Sequence, residues 1–353
     1  MDEELNRYRK QIDRIDDDLL KLLNQRAVLA QQIGYLKNGT VLRPEREAQV
    51  LQRMVNANTG PLPAQGVTQL FTEIMSHCRA LESPLTVAYL GPAGTFSEEA
   101  AIKRFGQASQ GMPCASIDEV FRKVEGGEAG YGVVPVENSS EGAIGRTLDL
   151  LLQSPLKVCG EVMLPVHQCL LSVAADFSDI KRVYSHPQSL GQCHDWLNAH
   201  LPNAERMSAA SNAEAAALAA GQQHSAAVAG RQAAERFGLA VRAENIEDDP
   251  RNTTRFLVIG NQDVAPSGKD KTSLAMSAPN RPGAVHDLLV PLAQHGVSMT
   301  RLESRPARSG LWEYVFYVDI EGHQSDPKVA AALAGLKQVA AFVKILGSYP
   351  AAL

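Results

Sequence analysis

The sequence predicts a multidomain chain with an all-α first segment, an α/β middle segment and an α+β final segment. Three observations carry this expectation. From Leu5 to Lys37, apolar residues recur at helical spacing with no Pro and a single Gly, Gly34, the pattern of a long amphipathic helix. Between Leu85 and Gly260, strand-like runs alternate with helical ones, which argues an α/β sheet. From Thr272 onward the runs read β, α, β, β, α, β, the ferredoxin-like order. Ser83-Pro84 and Pro266-Ser267-Gly268 are punctuation where linkers belong, so the expected domains are 1–83, 84–265 and 271–350.

Composition excludes several function classes. Of 353 residues, 44% are hydrophobic and 21% charged, ordinary globular values that argue against disorder or a fibrous rod. The net charge of −5 argues against a nucleic-acid partner, which needs a clustered cationic excess. By segment the charge is 0 over 1–82, −7 over 83–265 and +2 over 266–353. No apolar run approaches the roughly 18–20 residues of a membrane span. The acidic start Met1-Asp2-Glu3-Glu4 reads as lacking a secretion signal. The five cysteines are odd in number and none has CxxC spacing. They predict neither disulfides nor a metal site, and a cytoplasmic setting.

In the first segment, Ile12, Ile15, Leu19, Leu22, Leu23, Leu29 and Ile33 form one stripe at about 100° per residue. Arg26 falls in the middle of that stripe, and Lys37 lies within ~20° of the same line. Cations on an apolar face are costly unless paired. These two suit either internal ion pairs, with snorkelling at the ends, or an anionic ligand. Pro44 fits the first turn of a second helix. Its apolar face holds Val50, Leu51, Met54 and Val55, with Glu47 on that face and Arg46 at its shoulder. A third helix is expected from about Val67 to Glu82, with Glu82 inside the apolar arc. A first helix ~50 Å long cannot be buried by so small a unit. A helical dimer enclosing a polar cavity is therefore expected.

Arg9, Arg26, Lys37, the Arg46-Glu47 pair and Glu82 follow the order of functional residues in the all-helical type of chorismate mutase, which this segment resembles. The resemblance implies Arg9, Arg26, Lys37, Arg46, Glu47 and Glu82 as substrate-binding residues, with Lys37 and Glu82 catalytic and Arg9 serving the partner subunit's site. Chorismate is a dianion whose Claisen rearrangement needs a compact chair and charge placed at the ether oxygen. Arginine forks suit its carboxylates. Arg43, Cys78 and Glu82 depart from the usual acid, Ser and Gln of the bacterial pattern. Glu82 must carry a proton to donate to the ether oxygen, so mutase activity is expected to decline as pH rises.

In the middle segment, Leu85–Leu90 reads as a buried strand followed by the tight turn Gly91–Ser97. Further strand signals fall at Tyr131–Val136, Val158–Val173, Arg182–Ser185, Ala226–Ala229 and Arg255–Gly260. Polar residues gather just past strand ends, where α/β ligand sites lie. Singly, these motifs read equally as turn and cap chemistry, and His186 suits either a general base or a structural role. Together, Gly91–Ser97, Pro135–Gly142, Ser185–Gln188 with Gln192-Cys193, and Thr254-Arg255-Phe256 resemble prephenate dehydratase, in family order. The resemblance implies a two-lobed fold like type II periplasmic binding proteins, with residues about 160–230 in the second lobe. It implies loss of water and CO2 from prephenate to give phenylpyruvate, without metal or organic cofactor. Thr254 is implied as catalytic. Thr95, Asn138, Ser139, Ser185 and Gln192 are implied to bind substrate. Arg255 suits either a carboxylate clamp or a structural role.

The final segment resembles the ACT domain of these dehydratases. Gly283-Ala284-Val285 and Glu303-Ser304-Arg305-Pro306 match its two effector elements, with His286 departing from the usual apolar fourth position. The resemblance implies L-phenylalanine bound between two ACT domains and inhibiting the dehydratase. The whole reads as a homodimeric, phenylalanine-regulated enzyme with chorismate and prephenate as substrates. The alternatives are a non-catalytic amino-acid sensor, or a dehydratase joined to a degenerate mutase.

Overall fold

The computed structural model describes residues 2–36, 42–279, 281–306 and 314–352. Lys37 and the hairpin expected across Ala307–Gly310 lie outside them. The chain forms two compact units. Residues up to Leu85 with Phe105–Gln110 make one, and Thr86–Arg104 with Gly111 onward make the other.

The first unit is built on α1 (Asp2–Leu36), α2 (Pro44–Ala57) and α3 (Ala64–Ala80). Asp2, Glu3 and Glu4 occupy the first turn of α1, where the helix dipole favours anions. Pro44 opens α2, a position that loses no backbone bond. α3 starts three residues before the expected Val67, because Pro63 takes the N-cap position. Leu42, Val67, Met75 and Cys78 are buried. α1 runs 35 residues and has no buried residue, a length of ~52 Å. Its stripe residues Ile12, Ile15, Leu19, Leu22 and Leu29 remain 51–60% exposed.

The second unit starts with β1 (Thr86–Leu90), α4 (Phe96–Phe105), β2 (Gln110–Cys114), α5 (Ile117–Glu125), β3 (Tyr131–Asn138), β4 (Gly142–Ala143), α6 (Gly145–Gln153) and β5 (Lys157–Pro165). The chain then crosses into a second lobe. That lobe holds β6 (Cys169–Ser172), β7 (Arg182–Ser185), α7 (Pro187–Gln192), α8 (His194–His200), β8 (Glu205–Ser208), α9 (Asn212–Ala220), β9 (Ser225–Ala229), α10 (Arg231–Phe237) and β10 (Ala240–Ala243). It returns through β11 (Thr253–Gly260). The first sheet runs β2-β1-β3-β11-β5 with β4 on β3, and the second β10-β6-β9-β7-β8. The single run expected at Val158–Val173 is thus two strands, with the crossing between lobes in its middle. β2, Gln-Gly-Met-Pro-Cys, was hidden by Gly and Pro, which an edge strand tolerates.

The final segment is β12 (Asp270–Ser277), α11 (Ala284–Gln294), β13 (Met299–Pro306), β14 (Tyr314–Glu321), α12 (Pro327–Val339) and β15 (Phe342–Pro350), with sheet order β13-β14-β12-β15. One face of this sheet buries α11 and α12 through Leu274, Leu288, Val318 and Leu336. The other face shares a core with the first lobe. Ala275, Tyr317, Leu346 and Tyr349 join Val134, Leu148, Val158 and Leu257 in one cluster.

Polar anchors fix that junction. Lys344 Nζ donates to the carbonyls of Leu151, Leu152 and Ser154, at 3.0, 2.9 and 2.6 Å. It caps the C-terminal end of α6, and burial lowers its pKa. Tyr317 Oη donates to Leu148 O at 2.9 Å. At the centre, the buried Arg255 binds Glu161 (Nε–Oε2 2.9 Å), Asp319 and Tyr349 Oη (3.0 Å). Burial opposes the Arg255 charge, and the facing Tyr349, Asp319 and Glu161 more than offset that, holding its pKa up. Removing one partner from such a buried cluster leaves uncompensated charge, at a cost of about 3–5 kcal/mol. Arg255→Met should therefore destabilise this unit by that amount in urea unfolding followed by circular dichroism. A loss under about 1 kcal/mol would mean that Glu161 and Asp319 are not left as uncompensated buried charges.

Candidate active sites

A cavity of about 440 Å³ lies between the two lobes. Among the described residues lining it there is no Lys, Arg, Asp or Glu; His186 is the one titratable side chain. Its electrostatics come from helix ends. The starts of α4 (Phe96, Ser97), α5 (Ala115, Ile117), α6 (Ile144) and α9 (Ser211, Asn212) all border it. A helix start carries unpaired N–H groups and a partial positive charge. Together they border the cavity with partial positive charge. Two of these helices are held by S-x-x-E caps. Ser116 Oγ accepts from Glu119 N and Ser211 Oγ from Glu214 N, while each Glu reaches back to Ala115 N or Ala210 N.

One wall of the cavity is where β11 pairs antiparallel with β3, with Thr254 opposite Asn138. Asn138 Nδ2 donates to Thr254 Oγ1 and to Asn252 Oδ1, both at 2.9 Å. Asn138 Oδ1 accepts from Ser140 N at 3.0 Å. That bond fixes the amide orientation, so the Thr254 oxygen accepts from Asn138 and keeps its own proton to give. Asn138 and Thr254 are 6% and 9% exposed, so a donor here acts with little competition from water.

The lobes join through two crossing segments. Val166 N donates to Asn252 O and Ile246 N to Gln168 O. Glu247 receives Gln168 N at 2.8 Å and pairs with His167 Nδ1 at 2.7 Å. Across the cleft, Arg236 of the second lobe pairs with Glu98 of the first at 3.0 Å. Glu98 also accepts from Gly94 N and Tyr89 Oη, and burial, then this contact, raises the Tyr89 pKa.

In the helical unit, Arg26 is half-buried on α1, while Arg9 and Arg46 are exposed. Glu47 pairs with Arg79, a buried cation of α3 whose guanidinium also donates to Phe105 O at 2.6 Å. Arg79 lies four residues after Met75 on the apolar stripe, so the periodicity that singled out Glu82 also marks it. Glu82 packs on Gly34: a Cβ there would meet Glu82 Cγ at 3.0 Å.

Family comparisons agree along the whole chain. Residues 8–83 match chorismate mutase type II, 87–264 prephenate dehydratase and 272–338 the ACT domain. The bifunctional chorismate mutase/prephenate dehydratase of Neisseria gonorrhoeae is 55% identical over 356 residues, covering 100% of this chain and 98% of that one. The chain belongs to the bifunctional chorismate mutase/prephenate dehydratase family. That of Escherichia coli is 34% identical over 371 residues, covering 97% and 95%. A crystal structure of prephenate dehydratase from Arthrobacter aurescens in complex with L-Phe has TM-score 0.70 and 35% identity, covering 75% of this chain and 90% of that one. GqqA, described as a novel type of quorum quenching acylase, has TM-score 0.70 and 30% identity, covering 76% and 98%. Like its family, the chain is an enzyme with mutase and dehydratase domains followed by an ACT domain.

Of the dehydratase residues expected from sequence, Thr95, Asn138, Gln192 and Thr254 line the cavity, and Ser139, Ser185 and Arg255 do not. Ser139 holds the wall from behind, its Oγ accepting from Thr253 N at 3.0 Å. Ser185 Oγ lies 2.7 Å from Val228 O and 3.0 Å from Asn212 Oδ1, and so places Asn212. Arg255 is the correction that matters. It follows Thr254 in an extended strand, so its side chain leaves the opposite face, into the ionic cluster with Glu161 and Asp319. His186 caps α7, its Nδ1 accepting from Gln188 N at 3.3 Å, which favours the structural role.

Gln168, Ser189 and Asn212 also line the cavity and were not singled out in the sequence. Gln168 Nε2 donates to Ser189 Oγ at 3.1 Å, and Asn212 Nδ2 to the same oxygen at 2.9 Å. The S-x-x-E cap beginning at Ser211 was a legible sign for Asn212; Gln168 carried none. In the ACT domain, Gly283 is the left-handed N-cap of α11 (φ +77°). Ala284 is buried, and Val285, Ser304 and Pro306 are exposed. Arg305 instead lies over Gly145 of the dehydratase and 3.5 Å from Asp149.

Gly94 sits where the lobes touch. Its φ is +92°, and a Cβ would lie 3.3 Å from Arg236 Cδ and 3.5 Å from Ala213 Cβ. A side chain at such a φ costs roughly 1–3 kcal/mol. Gly94→Ala should raise the dehydratase KM for prephenate about tenfold or more, with mutase turnover in the same sample unchanged. Steady-state assays of both reactions check this, and an unaltered KM would show that the lobe contact at Gly94 does not bear on prephenate binding.

Proposed function

We propose that the chain converts chorismate to prephenate on its helical unit and prephenate to phenylpyruvate in the interlobe cavity, under feedback inhibition by L-phenylalanine. The observation that carries the dehydratase reading is the Asn138–Thr254 pair facing a cavity walled by helix starts. Prephenate loses a ring hydroxyl and a ring carboxylate at opposite ends of a cyclohexadienol, driven by aromatisation. Thr254 Oγ gives its proton to the departing hydroxyl as the C–O bond breaks and water forms, and it takes a proton back from solvent before the next turnover. The C–C bond to the carboxylate supplies the electron pair, and CO2 leaves. Helix starts hold the anionic groups, and the dry cavity favours a step that turns the ring carboxylate into neutral CO2 and leaves phenylpyruvate with one carboxylate. Gln192, with Gln168 and Asn212, orients the ring. Acylase chemistry calls for a nucleophile beside a base, and the neighbour of Thr254 is an amide.

For the mutase, Arg9, Arg26, Lys37, Arg46 and Glu47 bind the dianion in a chair, and Glu82 donates to the ether oxygen. The long exposed stripe of α1 supports a homodimer in which Arg9 serves the partner's site. A second ACT domain would meet edge strand β13, where Leu302 is 45% exposed, with L-phenylalanine held between Gly283–Val285 and Glu303–Pro306. The five free, buried cysteines fit the reducing cytoplasm.

Following chorismate absorbance and phenylpyruvate release in one assay tests the scheme. Thr254→Val should leave chorismate consumption intact and cut phenylpyruvate formation about 10²–10⁴-fold, the usual worth of a positioned acid, whereas Thr254→Ser keeps most of it. Phenylpyruvate at the wild-type rate from Thr254→Val would remove Thr254 from the mechanism. Glu82→Ala should lower mutase kcat/KM about tenfold or more, whereas Glu82→Gln, which keeps a hydrogen-bond donor, retains most of it. A Glu82→Ala rate equal to the parent's counts against Glu82 as donor.

A further inference from the structure

β3 and β11 each turn a reactive side chain to the cavity and a charged one to the opposite face. Asn138 pairs in register with Thr254, and one residue back Glu137 pairs with Arg255. The ACT sheet meets that second pair with a pair of its own, because Arg301 of β13 is the register partner of Asp319 of β14. Arg301 Nε donates to Glu137 Oε2 at 2.6 Å, and Arg255 binds Asp319. The result is a square of four alternating charges directly behind the catalytic pair. Arg301 is only 10% exposed at its side chain, against 39% for Glu137, so the arginine is the held member and the dehydratase strand is what it steadies.

We propose that Arg301 is a positioning residue for the dehydratase reaction. Through Glu137 it sets the β3 backbone at Asn138, and Asn138 in turn orients the Thr254 hydroxyl. The same strand β13 carries Glu303–Pro306, two residues beyond Arg301. Effector binding at those residues shifts Arg301 and so misaligns the proton donor. This second half rests on the phenylalanine reading above; the first half does not. A small displacement at a reacting centre suffices, since a misplacement of about 1 Å costs on the order of 100-fold in rate.

The test uses the full chain and the variants Arg301→Gln, Glu137→Gln, both together, and Arg301→Lys. Prephenate kcat and KM, mutase rate and calorimetric phenylalanine binding are measured on each. Arg301→Gln should lower dehydratase kcat about tenfold or more with KM within about threefold, the signature of lost alignment rather than lost binding. The double variant should lose no more than the worse single one, because both break the same contact. Phenylalanine should bind Arg301→Gln as it binds the parent, while its inhibition weakens about fivefold or more. A kcat within twofold of the parent, or losses that add in the double variant, overturns the proposal. If phenylalanine binds and inhibits parent and variant alike, the coupling role is wrong. If it binds neither, the effector reading fails and the kcat comparison still decides the positioning role. Should Arg301→Gln lose its fold by circular dichroism, Arg301→Lys decides. It keeps the charge without the fork, and a kcat equal to the parent's overturns the proposal.

Discussion

The antiparallel pairing of β3 with β11 is the constraint on which the dehydratase half depends. Because side chains alternate across a strand, one register fixes two things at once. It places Asn138 beside Thr254 at the cavity, and Glu137 beside Arg255 on the far face. A slip of one residue would exchange the faces, sending charges into the cavity and the hydroxyl into the junction with the ACT sheet. The register shift in this pairing after Arg255 is of the kind that re-aims side chains beside a site. The buried ions contribute little net stability by themselves, since desolvation offsets much of their attraction. What they contribute is specificity of docking: only one placement of the ACT sheet satisfies Arg255, Glu161 and Asp319 together.

The two halves handle anionic substrates by different physics. The helical unit carries arginines within or beside an apolar stripe, as a site for a dianion requires. The interlobe cavity has no Lys or Arg among its described lining residues and is bordered by helix starts, which the proposed mechanism uses instead. Backbone N–H groups are fixed by the fold and need little reorganisation as charge shifts in a reaction. A guanidinium would bind substrate and product carboxylates alike. For a reaction that discards a carboxylate as neutral CO2, partial charges spread over several helix ends hold the group less tightly as it leaves.

How far the sequence revealed this follows from the range of each signal. The long helix, the Gly91–Ser97 turn, β7 and the βαββαβ order were legible because they rest on local periodicity and turn chemistry. Thr254, Asn138, Thr95 and Gln192 stood out because their motifs sit at strand or helix ends. Arg255 was equally visible, and its direction was not: neighbours on a strand share a motif while facing opposite ways. Its partners Glu161 and Asp319 lie 94 and 64 residues away. Gln168 was hidden because it belongs to the crossing between lobes, which read as one continuous strand. The chain between β11 and β12 carries no helix or strand, yet the ACT sheet shares an apolar core with the first lobe, and no local pattern announces a shared core.

The shared core and the exposed helix place opposite demands on the chain. The dehydratase cavity is lined by residues between Leu90 and Phe256, and the ACT sheet packs behind the first lobe through a shared core. The helical unit leaves the stripe of α1 uncovered, roughly 50 Å of amphipathic helix with no buried residue. An isolated helix of that kind gains its stability from packing rather than propensity, so the stripe calls for a second helix of the same length and pattern. A second copy of this chain, as proposed above, would supply one. Cations near such a stripe are tolerated only where they have something to bind. Arg26 lies in the stripe of α1 and Arg9 about a quarter-turn from it, so on the proposed reading assembly and substrate recognition share one helix, whereas in the dehydratase the charged residues serve the scaffold and the polar lining of the cavity is amides, hydroxyls, the His186 imidazole and backbone.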